Sequence, residues 1–417
     1  MDAFASKKHV LFALRHAKYL PTPYEPEDAN RMTLGYFCLS SLALLPCLST
    51  SSNPDSSPSE AGETPRPSAL DTMLRPIQRQ GFIDWVYEQQ VEEGGFRGSD
   101  SIAFASNASS SSETRIDPPN IIQSYTAVLI LALLEDPLAR LDRSALLSLI
   151  SRCQNHDGSF SLFPASPEPG DPRSTYSAFA ICSMLNDWST IDVDNALRFL
   201  ESCRRYEGGY AQRPHLEANA GPTYCTIASY HLCGRSSELP DQPALLRWLI
   251  QLQNVPQPPS PTSASENEPE DDSEDEDSHL PSLEDSAGFQ GRPNKPLDAC
   301  YSFWSLGALR LLLPDPADFS SLVNLECSTN WLLNCQHPIY GGIGREPDSM
   351  PDVYHTYLSL AAMSIGQPAK EEGGGGKGIE LGLGELDVAW NVEKGVAERL
   401  REKIKRLQEE DESKQAR

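Results

Sequence analysis

Positive charge is what this 417-residue chain is short of: 34 Lys and Arg stand against 59 Asp and Glu, a formal charge of −25. A nucleic-acid reader needs a basic footprint to neutralise phosphates, and a polybasic membrane-surface protein needs clustered Lys and Arg, so the balance argues against both. No apolar run is long enough to span a bilayer. The opening stretch, MDAFASKKHVLFALRHAKYLP, has charges breaking its short apolar run and does not read as a signal peptide. None of the ten cysteines forms a C-x-x-C pair, and most sit in apolar helical stretches such as LISRCQ and SAFAICSML. That pattern points to buried reduced thiols and a cytoplasmic protein, not to a disulfide framework. Asn-Gly hairpins and sustained alternation are missing as well, which argues against a β fold.

What is abundant is acid and proline, and much of the acid is local. Hydrophobic residues make up 39% and prolines number 34, so part of the chain is expected to lie outside the packed fold. Pro256 to Ala287 holds eleven acidic residues and no Lys or Arg; without it the formal charge moves from −25 to −14. With no aromatic side chain to bury, that segment cannot offset its ordering entropy and reads as a disordered surface insertion, 256–287. Ser- and Pro-rich stretches at about 50–67 and 99–119 read the same way.

A repeat runs through the remainder. Glycine turns recur at Gly94 (EEGGFRG), Gly158 (HDGSF), Gly208 (YEGGYAQ), Gly288 (AGFQG) and Gly341 (YGGIG), some 50 to 65 residues apart and about 80 across the acidic insertion. Each follows a helix such as WVYEQQ or WLLNCQ and precedes one that is apolar nearly all round, such as SYTAVLILALL or TYSAFAICSML. Glycine at the turn permits positive φ and ends the preceding helix. Helical hairpins with one apolar and one amphipathic member stack into an open solenoid or close into a ring with the apolar helices inside. The ring predicts an all-α, α–α barrel (toroid) of about six hairpins over residues 1–367, with the starts of the inner helices lining one mouth. Beyond it, 368–417 reads as a Gly-rich linker and an amphipathic C-terminal helix with Val392, Val396, Leu400, Ile404 and Leu407 at helical spacing.

Two mouth segments carry chemistry. GFQGRPNKPLDACYSFW and GGIGREPDSMPDVYHTYL align with Asp298 opposite Asp352, and bring Asp298, Cys300 and His355 onto neighbouring inner helices. Carboxylate, thiolate and imidazole suit zinc, and three ligands with a fourth position open is the catalytic pattern. From spacing alone, a structural D-x-C at a helix start beside a core histidine remains the plainer account. Arg292, Lys295 and Tyr301 flank the trio and offer a cradle for a phosphorylated group. A barrel lined with apolar side chains suits a substrate with a greasy tail and a diphosphate head. A terpene-cyclase reading of the Gln154–Phe160 turn lacks the acidic D-x-D-D motif that such chemistry needs.

These turns, with GRPNKPLDACYSFW and PDVYHTYL, resemble the β subunits of protein prenyltransferases over roughly residues 8 to 365. The resemblance implies an α–α barrel holding one zinc ion (Zn2+) through Asp298, Cys300 and His355. The isoprenoid would lie in the barrel with its diphosphate on Arg292, Lys295 and Tyr301, and an obligate α subunit would complete a heterodimer. The opening, KKHVLFALRHAKYLPTPYEPEDANRMTLGYFCLSSLALL, is most similar to type I geranylgeranyltransferase β subunits. Those act on geranylgeranyl diphosphate and on CaaX-terminated small GTPases. Thr33 and Leu358 stand where farnesyltransferases carry Trp and Tyr, which leaves room for a longer lipid. Arg345 stands where they carry a magnesium-binding Asp, so magnesium is not expected to be required. Arg173 and Trp304 are implied walls of the lipid and peptide pocket. There are departures: Asn219 replaces a diphosphate-contacting His and cannot supply positive charge. His215 is the nearby candidate substitute. Asn120 and Ile122 also depart from the type I pattern.

Overall fold

The computed structural model describes residues 4–47, 68–99, 118–254, 286–368 and 378–415. Most of the segments expected at about 50–67, 99–119 and 256–287, and most of the Gly-rich linker, lie outside the described residues. Fifteen α-helices are present among the described residues. The inner ones are α2 (Arg31–Leu44), α5 (Ile121–Leu133), α7 (Pro172–Leu185), α9 (Ala220–Leu232), α11 (Ala299–Leu312) and α14 (Val353–Ile365). They pack in the order α2, α5, α7, α9, α11, α14 and back to α2, a closed ring. Outside run α1 (Ser6–Lys18), α4 (Pro76–Glu88), α6 (Arg143–Cys153), α8 (Val193–Ser202), α10 (Gln242–Ile250) and α13 (Leu325–Asn334). Two short helices, α3 (Ala69–Met73) and α12 (Pro316–Leu322), lie in connections, and α15 (Lys394–Gln415) ends the described chain.

Sequence composition explains the two layers. In α5, IIQSYTAVLILAL, twelve of thirteen residues are buried, so the helix must face protein on every side. In α8, VDNALRFLES, only Ala196, Leu197, Phe199 and Leu200 are buried, a single stripe at helical spacing. The ring was therefore legible as the solution that gives every apolar helix a neighbour on both flanks.

The glycine turns join one hairpin to the next. Each closes a short antiparallel bridge, as in Gln90 with Phe96, Gln154 with Phe160, Arg204 with Tyr210 and Gln336 with Ile343. Gly158 and Gly208 have φ of 88° and 115°. A Cβ there would collide with the backbone of Asn195 in α8 and Ala244 in α10 respectively. The last turn does the same to the first helix: a Cβ on Gly341 would strike the Lys8 carbonyl of α1, so this contact is the seam of the ring. Gly288 differs from the expected pattern. Its φ is not in the left-handed region, and what excludes a side chain is the Trp331 indole, 2.8 Å from where a Cβ would sit.

At the seam, His9 of α1 is fully buried. Its Nδ1 accepts the Gly342 N–H at 3.0 Å and its Nε2 lies 2.8 Å from Gln336 Oε1. With Nδ1 accepting, the proton sits on Nε2, and burial pushes the imidazole pKa down to about 4 despite the Gln336 bond.

The other end of the barrel is closed by the chain's own C-terminal segment. A two-residue hairpin, β1 (Leu386–Asp387) and β2 (Val392–Glu393), holds the turn 388–391 inside the ring. Beyond it α15 buries Val396, Ala397, Leu400 and Ile404 against the barrel and contacts α5 and α7. Lys403 Nζ meets the Asp136 carbonyl at 2.5 Å, and Gln408 Nε2 meets the Leu185 carbonyl at 3.2 Å. These carbonyls lie at the C-terminal ends of α5 and α7, where helical carbonyls lack partners. The expected amphipathic helix is present, but packing does not divide the chain at 367. The tail is the floor of the barrel.

Candidate active site

Inner helices begin at the open mouth, and helix starts select Asp and Asn because their side chains accept otherwise unpaired N–H groups. Asn120, Asp171, Asn219, Asp298 and Asp352 cap α5, α7, α9, α11 and α14 in this way. Five helix caps thus ring one opening, and two of them do more than cap.

Asp298 Oδ1 accepts the Cys300 N–H at 3.0 Å and lies 3.3 Å from His355 Nε2, while its Oδ2 is 3.1 Å from Arg345 Nε. Asp352 Oδ1 accepts the His355 N–H at 2.9 Å, and its Oδ2 is 2.6 Å from His355 Nδ1. Neighbouring helices therefore bring a carboxylate oxygen, a thiol sulfur and an imidazole nitrogen of Asp298, Cys300 and His355 within 4.8 Å of one another. Asp352 fixes the ring so that Nε2 faces the other two, the carboxylate–histidine arrangement that orients metal ligands. The donor set and this outer support fit a borderline-soft divalent ion such as zinc.

Electrostatics bind the trio tightly. Burial pulls the His355 imidazole down, but the hydrogen bonds of Asp298, Asp352 and Cys300 outweigh it and raise the pKa to about 11. Burial pushes the Cys300 thiol up to about 11 against the opposing pull of His355. Burial alone would raise Asp298; the hydrogen bonds from His355 and Cys300 reverse it, so its carboxyl is held below the ordinary range.

A cavity of about 730 Å³ opens beside the trio. Arg292, Lys295, Tyr301, Asn219 and Arg345 all line it, as do Arg173 and Trp304. Arg292 forms an ion pair with Glu217, which also lines the cavity, and Asn219 Nδ2 donates to the Tyr301 hydroxyl at 3.4 Å. Gly291 is required here, since a Cβ would overlap the Tyr301 ring. Arg173 pairs with Asp171 at 2.6 Å. His215 is exposed, at φ 70°, and is not part of this wall, so it does not stand in for the missing histidine.

Thr33 lines a second cavity, of about 510 Å³, with Asn120 and Ile122. Its hydroxyl donates to Gln123 Oε1 at 3.1 Å. Leu358 lines neither cavity; it is buried in α14, one turn deeper than Tyr354. Tyr354 lines both cavities, and its hydroxyl accepts from Trp304 Nε1 at 3.3 Å. Tyr354, Glu217 and the orienting role of Asp352 were not singled out from the sequence. The alignment of Asp352 with Asp298 was the available signal for the last of these.

The Prenyltransferase alpha-alpha toroid domain matches residues 4–392, past the hairpin that closes the barrel. The geranylgeranyl transferase type-1 subunit beta of Dictyostelium discoideum is 30% identical, over 86% of this chain and 90% of its own length. Its counterpart from Arabidopsis thaliana is 29% identical, over 91% and 89%. Among solved structures, the Candida albicans protein geranylgeranyltransferase-I complexed with GGPP has a similar fold. Its TM-score is 0.74 and its identity 23%, over 97% of this chain and all of the other.

Proposed function

The chain belongs to the prenyltransferase alpha-alpha toroid family, and on that premise we propose that it is the catalytic β subunit of a type I protein geranylgeranyltransferase. It transfers the geranylgeranyl group from geranylgeranyl diphosphate to the cysteine thiol of proteins ending in CaaX, X typically Leu, such as Rho-family small GTPases. It works in the cytoplasm as an obligate heterodimer with an α subunit; no described helix is long and apolar enough to cross a membrane.

The observation that carries this reading is the convergence of Asp298, Cys300 and His355 beside a cavity walled by Arg292, Lys295 and Arg345. Held by that trio, zinc would lower the pKa of the substrate cysteine and present it as a thiolate. Arg292, Lys295 and Tyr301 receive the diphosphate, with Asn219 a neutral hydrogen-bond donor beside them. Arg345 lies close enough to reach both the trio and the leaving group. A fixed cation there opposes the negative charge that grows on the departing diphosphate, the part magnesium plays elsewhere. Trp304 and Tyr354 give the cavity an apolar inner wall that keeps the reacting carbon dry.

The test is co-expression with the α subunit, zinc analysis of the purified heterodimer, and competition between farnesyl and geranylgeranyl diphosphate on peptides ending in Leu against Met or Ser. One zinc per β subunit, geranylgeranyl transfer to Leu-ending peptides and no magnesium requirement are the expected results. Preferential farnesylation would reassign the chain to the farnesyltransferase β subunits. A folded heterodimer without zinc or transfer would leave a binding barrel.

A further inference from the structure

Five tyrosines, each from a different inner helix, point their hydroxyls at one stretch of backbone. Tyr224 donates to the Val388 carbonyl at 2.7 Å, Tyr176 to Ala389 at 3.0 Å and Tyr125 to Trp390 at 2.8 Å. Tyr36 and Tyr357 both donate to the Asn391 carbonyl, the latter at 2.5 Å. The carbonyls are taken in chain order as the helices run backwards round the ring, so the turn is wound against the barrel wall. All five phenols are fully buried, which raises their pKa values well above the ordinary range and keeps them hydrogen-bond donors. The sixth inner helix has Phe303 at this level, packed 5.1 Å from the Tyr224 ring.

The same rings back the walls of both cavities. Tyr224 lies 5.3 Å from Trp304, which lines the first cavity. Tyr36 and Tyr357 lie 5.5 and 5.7 Å from Phe37, which lines the second and meets Tyr354 edge-on. Tyr357 stands five residues past the Asp352 cap, so the layer is roughly 8 Å below the mouth at the helical rise per residue. An extended geranylgeranyl tail entering at the mouth is longer than that and meets the layer. Outside the ring the turn is pinned again: Trp390 Nε1 donates to Ser183 at 3.1 Å, and Arg401 covers its indole at 4.1 Å.

We infer that the turn 388–391, clasped by these tyrosines, is the floor of the isoprenoid cavity and thereby limits the length of isoprenoid the barrel accepts. Residues remote from the metal trio and the diphosphate cradle would then select substrate by holding the floor at one height. This rests on the prenyl-transfer reading above.

The experiment uses the full-length heterodimer and compares geranylgeranyl with geranylfarnesyl diphosphate, the next longer isoprenoid. Trp390→Ala and the double variant Tyr125→Phe/Tyr176→Phe are each measured for kcat/KM with both lipids, and for lipid binding through tryptophan fluorescence. A lowered or loosened floor raises the ratio for the longer lipid by about tenfold or more, the least that a few methylenes in an apolar pocket command. An unchanged ratio in the double variant, with zinc content and circular dichroism intact, overturns the inference; this variant decides if Trp390→Ala does not fold. A wild-type heterodimer that transfers neither lipid sinks the underlying function instead, so the two failures are distinguishable.

Discussion

The mouth and the floor of this barrel are made by the same six helices and closed by opposite means. At the mouth, caps and cations face a cavity, and several ion pairs are half-exposed: Arg345 with Asp298, Arg292 with Glu217, Arg173 with Asp171. At the floor, neutral phenols hold backbone carbonyls with no solvent between them. The difference teaches where a helical ring can afford chemistry. Helix starts need Asp and Asn in any case, so carboxylates arrive at the mouth at no structural penalty. Deep in the barrel a charge would be costly, and the polar groups that remain there are neutral and paired.

The largest effect that would break this contrast is at the metal trio. Cys300→Ala or His355→Ala should abolish both zinc retention, read by elemental analysis, and thioether formation, with circular dichroism unchanged. A smaller loss follows from the residue behind the ligand. Asp352→Asn keeps the helix cap but weakens the hold on His355 Nδ1, and should lower zinc affinity about 10- to 100-fold in a chelator competition.

Acid sharpens the contrast further, because the mouth is closed at the seam by a histidine and the floor by phenols. His9 has a folded pKa of about 4 against about 6.5 unfolded, so the unfolded chain binds the extra proton first. Stability should fall as pH drops from 6.5 towards 4, by up to about 3 kcal/mol from this group. His9→Gln should flatten that part of the urea-midpoint profile relative to wild type. The floor phenols, raised far above neutrality, contribute nothing to the profile there. The smallest effect is a single hydroxyl: Tyr224→Phe strands the Val388 carbonyl and should destabilise by about 1–3 kcal/mol, read as a lower thermal midpoint.

Much of this architecture was readable because it repeats. A glycine turn followed by an apolar helix, five times over, implies buried helices with neighbours on both sides, and the ring supplies them. The trio was readable because Asp298 and Asp352 occupy equivalent cap positions, so alignment placed Cys300 and His355 on adjacent helices. The floor was not readable. Tyr36, Tyr125, Tyr176, Tyr224 and Tyr357 look like ordinary core aromatics, and their common partner lies up to some 350 residues away in a stretch, VAWN, with no pattern of its own. Gly288 misled for a related reason: a turn glycine can be demanded by a neighbour's indole as well as by its own φ, and sequence does not distinguish them. The separation of Thr33 from Trp304 into two cavities depends on where Tyr354 lies, a side-chain position that spacing does not contain.

The short bridges have a consequence for how this chain can change over generations. Pro46 pairs with Ser68, Phe96 with Asn120 and Gln253 with Phe289. Each of the three irregular stretches foreseen in the sequence therefore leaves the barrel and returns to it at residues already fastened side by side. Doubling the length of a flexible segment closed in that way costs about 0.6 kcal/mol. Such junctions are tolerant addresses for insertion, deletion and recolouring of charge, and the eleven acidic residues between Pro256 and Ala287 sit at one of them. Relatives could differ there in length and charge while the ring, the trio and the tyrosine clasp stay the same.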